Sequence, residues 1–238
     1  MSERFFVEPP ITGEGVELSG PEAHHLTHVM RAKPGDEVVL FDGGGAEFVG
    51  RVEKVGKHLV TLAVVARKEI DREVARPIVL GVALPKGERQ KWLVEKVTEL
   101  GVTTLVPLLT RRGVAQPVET ALARLRRSVI EASKQCERNR LMEIAEPASL
   151  AEFFASAPTD SRRWLAHPGG ADVSRNSHSM NLADGEKPSP TYIAVGPEGG
   201  FADEEVAAAV AAGWTCVDLG PRILRVETAA ILLAAWAL

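Results

Sequence analysis

Twice near its end the chain runs a short apolar segment straight into Gly-Pro and then into a helix-forming stretch. The first pass is Tyr192-Ile193-Ala194-Val195, then Gly196-Pro197-Glu198-Gly199-Gly200-Phe201, then Ala202-Asp203-Glu204-Glu205 opening a helix. The second runs from Trp214 to Leu219, breaks at Gly220-Pro221, passes through Arg222-Ile223-Leu224-Arg225, and enters an Ala/Leu-rich helix at Glu227-Thr228 that extends to Leu238. Strand, breaker and helix in repeated alternation is the connectivity of a parallel sheet with helical crossovers. In such sheets ligands bind beyond the carboxyl ends of the strands. Glycines at 196, 199 and 200 let a backbone approach a ligand closely.

The same alternation extends upstream. Ile78 to Leu84 reads as a buried strand. Glu88 to Leu100 reads as a helix with Trp92, Leu93, Val97 and Leu100 near helical spacing and Gly101 as its stop. Thr104 to Leu109 is a further strand, Thr120 to Arg140 a long helix, Leu150 to Ala155 a short one, and Trp164-Leu165-Ala166 a strand. Residues 1 to about 70 read differently, as short β-branched strands around Phe5, Val39, Val49 and Val60, with Asp42-Gly43-Gly44-Gly45 as a hairpin turn. Only Pro21 to Arg31 looks helical there, with Ser19 as the N-cap. Short strands at this spacing suggest a small barrel. The boundary between the two halves falls at 72/73, where the composition turns charged and then apolar. From Gly169 to Pro190 the chain is rich in Gly, Ser, Asn and Pro and reads as a surface loop.

Composition narrows the class. An apolar content of 45% with 25% charged residues is ordinary for a globular chain. No apolar run reaches the roughly 18 residues of a membrane helix, and the N-terminus lacks a signal-peptide core, so the expectation is a cytoplasmic protein without a membrane partner. Cys136 and Cys216 are too few for a disulfide framework. His24 and His28 stand one helical turn apart, but no acidic or Cys partner completes a metal site, and no metal is expected. The net charge of −4 does not announce a nucleic-acid binder. Its distribution does more: Arg111 to Arg140 holds eight Lys/Arg against three Glu, a local +5. That block suits either an anionic partner or a solvated, ion-paired helix face. The last helix is apolar on all sides, which implies burial on more than one side. It ends at Leu238 without a capping residue, as it would if a short tail followed.

Taken in order, Arg4-Phe5-Phe6, Lys86-Gly87-Glu88-Arg89, Lys96 with Glu99-Leu100-Gly101-Val102, Gln135 with Arg138, Gly196-Pro197-Glu198-Gly199-Gly200 and Leu219-Gly220-Pro221-Arg222-Ile223-Leu224-Arg225 with Glu227-Thr228-Ala229 form an ordered set. It resembles the ribosomal RNA small subunit methyltransferase E family of the SPOUT class, over nearly the whole chain. The resemblance implies a PUA-like RNA-binding β-barrel over 1–72 and a SPOUT α/β domain with a trefoil knot over 73–238. It also implies a homodimer, S-adenosylmethionine as cofactor, and methylation of N3 of a uridine in the decoding region of 16S rRNA in the small ribosomal subunit. Another SPOUT enzyme acting on tRNA or a ribose 2′-OH, or a non-catalytic ribosome-assembly factor, are the alternatives.

The residues themselves bear on these roles. The two Gly-Pro loops read as ordinary connections, as a phosphate site, or as a site for a cationic cofactor. Gly196 to Gly200 lacks the Lys-Ser/Thr of a P-loop, and Glu198 with Asp203-Glu204-Glu205 would repel a phosphate. S-adenosylmethionine, with its sulfonium and amino group, suits them better. The expected cofactor residues are Gly196, Glu198, Gly199, Gly200, Leu219, Gly220, Ile223, Leu224 and Arg225. Uracil N3 must lose a proton, and the charge then spreads onto O2 and O4. Arg225 is the expected stabiliser of that charge and Glu227 the expected base. Arg4, Arg31, Lys86, Arg89, Gln135 and Arg138 are the expected RNA contacts; for Lys86 and Arg89, supporting ion pairs are the equal alternative.

Overall fold

The computed structural model describes residues 4–8, 10–114, 117–171 and 189–238. The chain forms two compact units. One holds the residues up to Glu73 together with Ser133–Leu141; the other holds Val74–Ala132 and Met142–Leu238.

In the first unit β1 (Arg4–Phe6), β2 (Gly15–Ser19), β3 (Glu37–Phe41), β4 (Ala46–Val55) and β5 (Leu59–Glu69) make one sheet in the order β1-β3-β4-β5-β2. Only β1 pairs in parallel; the others are antiparallel. The expected turn at Asp42–Gly45 joins β3 to β4, closed by Gly44 N donating to Asp42 Oδ1 at 2.9 Å. Strand β2 escaped the sequence reading because only Val16 and Leu18 carry its inward face. Register shifts in β4 at Val49/Gly50 and Val52/Lys54 bend it, as bulges do. Gly50 permits the bend, since a Cβ there would lie 2.6 Å from Leu40 Cδ1. The sheet curls around Phe5, Leu18, Leu26, Leu40, Val52 and Leu62, which form its core. The expected helix is real but irregular: α1 (Gly20–His24) passes into a π-helical turn, His25–Val29. Ser19 occupies the N-cap position but makes no side-chain capping bond, which corrects its expected role.

Residues 133–141 are tied into this unit by polar groups. Arg4 Nη1 donates to Glu47 Oε2 at 2.9 Å and its Nη2 to Asn139 Oδ1 at 2.7 Å. Asn139 Nδ2 donates to Ile70 O at 2.9 Å, Arg138 pairs with Glu73, and Lys134 Nζ donates to Glu22 Oε1 at 2.8 Å. A hydrogen-bonded buried ion pair is costly to break, because the partner left behind is desolvated and unpaired.

In the second unit β6 (Ile78–Val82), β7 (Thr104–Leu109), β8 (Glu143–Ile144), β9 (Ala148–Ser149), β10 (Arg162–Ala171), β11 (Thr191–Val195) and β12 (Thr215–Val217) form the sheet. The order is β12-β10-β11-β6-β7-β8 with β9 beside β7, and every pair is parallel. Five helices connect or flank the strands: α2 (Arg89–Glu99), α3 (Glu119–Cys136), α4 (Leu150–Ser156), α5 (Asp203–Ala211) and α6 (Val226–Trp236). This is the parallel α/β architecture that the alternation predicts. Phe153 and Phe154 of α4 pack with Trp214, Leu165 and Ala194 in one core cluster. Helix α4 is fixed at its start by a capping box, in which Ser149 and Glu152 satisfy each other's backbone amides.

Three expectations change in detail. Trp92 lies off the buried stripe of α2, which is Leu93, Val94 and Val97, and is 46% exposed. Helix α6 buries Val226, Ala229, Ala230, Leu233 and Ala234, whereas Ile231, Leu232, Ala235 and Trp236 are half-buried, so its burial is one-sided. The segment expected to be loop from Gly169 begins as strand, because β10 continues to Ala171; residues 172–188 lie outside the described residues.

Candidate active site

A cavity of about 470 Å³ opens at the carboxyl ends of the three adjacent strands β12, β10 and β11. Ala166, His167 and Pro168 form one wall, the Gly196–Phe201 loop another, and the Asp218–Leu224 loop a third, with Val226 and Ala229 of α6 behind. Gly196, Glu198, Gly199, Gly200, Leu219, Gly220, Ile223 and Leu224 all line it. Arg225 does not, which corrects its placement as a cofactor ligand. It is the N-cap residue of α6, exposed, and without a side-chain partner among the described residues.

Each loop has an internal lock. Gly200 N donates to Pro197 O at 2.8 Å, closing a turn that puts Gly200 at φ +69°, a conformation costly for a side chain. In the second loop Asp218 is the brace. Its Oδ1 accepts from Gly220 N at 2.8 Å and its Oδ2 from Gly169 N at 2.9 Å, which ties the loop to the end of β10. Gly220 stands at φ +99°. The amides of Glu198, Gly199, Leu219 and Leu224 have no hydrogen-bond partner among the described residues. The cavity thus offers main-chain donors, apolar walls, and the carboxylates of Glu198 and Asp218. Such a lining suits a flat heterocycle carrying a cationic tail.

Glu227 differs from expectation. It is 5% exposed, does not line the cavity, and lies 3.6 Å from Arg89 Nη1. In this arrangement Glu227 faces Arg89 rather than the cavity and acts as a bracing group. Arg89 donates from Nη2 to Glu198 Oε1 at 2.9 Å, so one guanidinium links α2, the glycine loop and α6. Of the two readings for Arg89, the ion pair is the one the geometry holds.

The expected RNA residues divide. Arg4 and Arg138 are 5% and 4% exposed, with their guanidinium groups engaged by Glu47 and Glu73. Neither can reach a phosphate, and this corrects both. Arg31, Lys86 and Gln135 are exposed. Arg31 also takes φ +57°, uncommon for a non-glycine residue. His24 and His28 stack with ring centroids 4.6 Å apart, and among the described residues no group of three His, Cys, Asp or Glu is placed to hold a metal ion. No helix among those residues is long and apolar enough to cross a membrane. Sequence reasoning missed His167 and Phe201 as cavity residues. The only available signal for His167 was its place after a strand and before Pro168.

Fold and cavity together describe a chain of two units, one of them a parallel α/β unit with a ligand cavity at its strand ends, and comparison with known proteins makes it an RNA methyltransferase. A family model for an RNA methyltransferase PUA domain matches residues 18–65, and one for an RNA methyltransferase domain matches residues 72–238. The ribosomal RNA small subunit methyltransferase E of a Synechocystis species is 33% identical over 96% of this chain and 75% of its own length. That of Bacillus subtilis is 27% identical over 95% of this chain and 92% of its own. Among solved structures, the Neisseria gonorrhoeae ribosomal RNA small subunit methyltransferase E bound to S-adenosyl methionine superposes with a TM-score of 0.84 at 27% identity, covering 99% of this chain and 96% of that one. A Legionella pneumophila protein in complex with the bound cofactor SAM gives 0.86 at 30% identity, with the same coverages. This chain belongs to the ribosomal RNA small subunit methyltransferase E family.

Proposed function

We propose that this protein methylates N3 of one uridine in the decoding region of 16S rRNA, with S-adenosylmethionine as methyl donor. The observation that carries the reading is the glycine-rich cavity at the strand ends, with its unpaired main-chain donors. The relatives crystallised with the cofactor support it. When bound, the cofactor supplies a methyl group made electrophilic by a sulfonium. The amides of Glu198, Gly199, Leu219 and Leu224 are suited to hold an adenine edge, and Leu219 and Leu224 to flank its faces. The carboxylates of Glu198 and Asp218 favour a cation at the rim.

Arg225, beside this cavity and without a partner among the described residues, supplies positive charge where the base enters. Its guanidinium stabilises the negative charge that develops on the uracil oxygens as N3 loses its proton. Arg31, Lys86 and Gln135 contribute RNA contacts. The chain acts in the cytoplasm as a homodimer, to which the half-buried apolar face of α6 is suited, and its C-terminal segment is knotted as the family resemblance implies. The division of labour assigns RNA binding to 1–72, the unit that also holds Ser133–Leu141, and catalysis to the remainder of 73–238.

Mass spectrometry of 16S rRNA from cells with and without the protein tests this. One uridine should carry an N3 methyl only when the protein is present, and purified protein with S-adenosylmethionine should restore it. Identical modification in both cells would sink the reading.

A further inference from the structure

The carbonyl side of the Gly196–Phe201 loop is held by a residue from a different connection. Arg112, which follows β7, donates from Nη1 to Gly199 O at 2.8 Å and to Phe201 O at 3.3 Å. Gly199 rests against its aliphatic stem: a Cβ on Gly199 would lie 3.5 Å from both Cβ and Cδ of Arg112. The two peptide groups so engaged are bonded at their other ends as well. Gly200 N donates to Pro197 O at 2.8 Å, and Ala202 N to Glu205 Oε2 at 2.7 Å. A peptide group is planar, so fixing its carbonyl and its amide fixes its orientation. The first of them is the Gly199–Gly200 step, the part of the loop with most conformational freedom to lose, and only Gly200 and Phe201 lie between the two. Arg112 itself does not line the cavity.

We propose that Arg112 is a positioning residue for the cofactor loop. It locks the Gly199–Phe201 backbone in the arrangement whose free amides, those of Glu198 and Gly199, serve the ligand. This rests on the S-adenosylmethionine reading above. A ligand that binds one loop conformation has its affinity reduced by the fraction of molecules in that conformation. Two charge-assisted hydrogen bonds in a partly exposed setting shift that fraction by about tenfold. Because Arg112 touches no cavity space, its loss acts on cofactor binding alone. Its neighbour Arg111 provides the control, since it pairs with exposed Glu204 at 2.8 Å and leaves the loop carbonyls alone.

Calorimetry with S-adenosylmethionine and S-adenosylhomocysteine tests the proposal on the full chain. The set is wild type, Arg112→Ala, Arg112→Lys and Arg111→Ala, with thermal midpoints and steady-state kinetics on 16S rRNA. Arg112→Ala should raise the cofactor Kd and KM about tenfold while kcat at saturating cofactor and the RNA KM stay within about twofold. Arg112→Lys should recover part of the loss, and Arg111→Ala should match wild type. Equal cofactor affinity in wild type and Arg112→Ala overturns the proposal. So does a fall in kcat, or a rise in RNA KM, with cofactor affinity intact, since Arg112 would then be an RNA contact. Should Arg112→Ala not fold, Arg112→Gln, which keeps one neutral donor, takes its place with the same expectation. Failure of wild type itself to bind either ligand would refute the functional reading, a different result from unchanged binding in the variant.

Discussion

Arg4 and Asn139 lie 135 positions apart in sequence and share a 2.7 Å hydrogen bond in a buried site. Asn139 and its neighbours are therefore part of the first unit, although they follow the long helix α3. Separating the chain at 72/73 removes the Arg4, Glu22 and Ile70 partners of residues 133–141. In the fragment 73–238 the last turn of α3 and the segment after it should lose protection against hydrogen exchange, while β10 to β12 keep theirs. Cofactor binding by that fragment should persist. Equal protection of residues 133–141 in fragment and full chain would show that the buried pairs do not hold them.

Glu47 ties Arg4 and Arg72 together, at 2.9 and 3.2 Å. Burial raises its pKa, but the hydrogen bonds and charges of both arginines outweigh burial and leave it below the ordinary 4.5. A carboxyl depressed in the folded state stabilises the fold above its unfolded pKa, and that stability is lost as pH falls through the folded value. The first unit should thus lose stability on acidification below about pH 4.5, the ordinary value. Glu47→Gln should cost about 3 kcal/mol near neutrality, from the unpaired arginines left behind, and should flatten the acid decline. Denaturant titrations at a series of pH values measure both; an acid slope unchanged in the variant excludes Glu47 as its source.

Glu227 Oε2 is buried without a hydrogen-bond partner, and Arg89 at 3.6 Å is the cation facing it. Removing Arg89 leaves that carboxylate uncompensated. Arg89→Ala should destabilise by about 1–3 kcal/mol, discounted because Arg89 is partly exposed. Neutral Glu227→Gln should absorb much of the loss. A double-mutant cycle by thermal unfolding reports the coupling. If Arg89→Ala costs the same in both backgrounds, the pair contributes nothing to stability.

Arg225→Ala should leave folding and cofactor affinity near normal and slow methyl transfer on the order of 100-fold. Lys should rescue only in part, because it lacks the planar fork of the guanidinium. Glu227 is committed to Arg89 and Asp218 to two backbone amides, so loss of a brace to either does not explain a slow variant. Single-turnover rates with both ligands saturating decide it: an unimpaired rate excludes the catalytic role.

The parallel sheet, and the fact that eight of the nine residues expected to hold a cofactor line one cavity, were legible because their signals are local. Gly-Pro after an apolar run marks a strand end whatever the rest of the chain does, and Gly196 to Gly200 or Leu219 to Leu224 are contiguous. Charge roles were not legible. Nothing around Arg4 or Arg138 distinguishes a guanidinium facing solvent from one buried on a glutamate 43 or 65 positions away. Arg112 was hidden for the same reason, because its partners are carbonyls 87 and 89 positions distant and any residue type supplies a carbonyl. Arg225 read as a cavity ligand because it adjoins Leu224, yet Leu224 lines the cavity whereas Arg225, the N-cap of α6, does not.

Four of the cavity's donors are peptide amides, which substitution of their own side chains does not remove. An alanine scan of Glu198, Gly199, Leu219 and Leu224 deletes none of those N–H groups. A library meant to admit an enlarged cofactor analogue should accordingly vary the length of the two Gly-Pro connections rather than residue identity within them. Inhibitors that bind through the same amides would meet few escape routes by single-codon change, and those routes would concentrate at positions that shift the backbone.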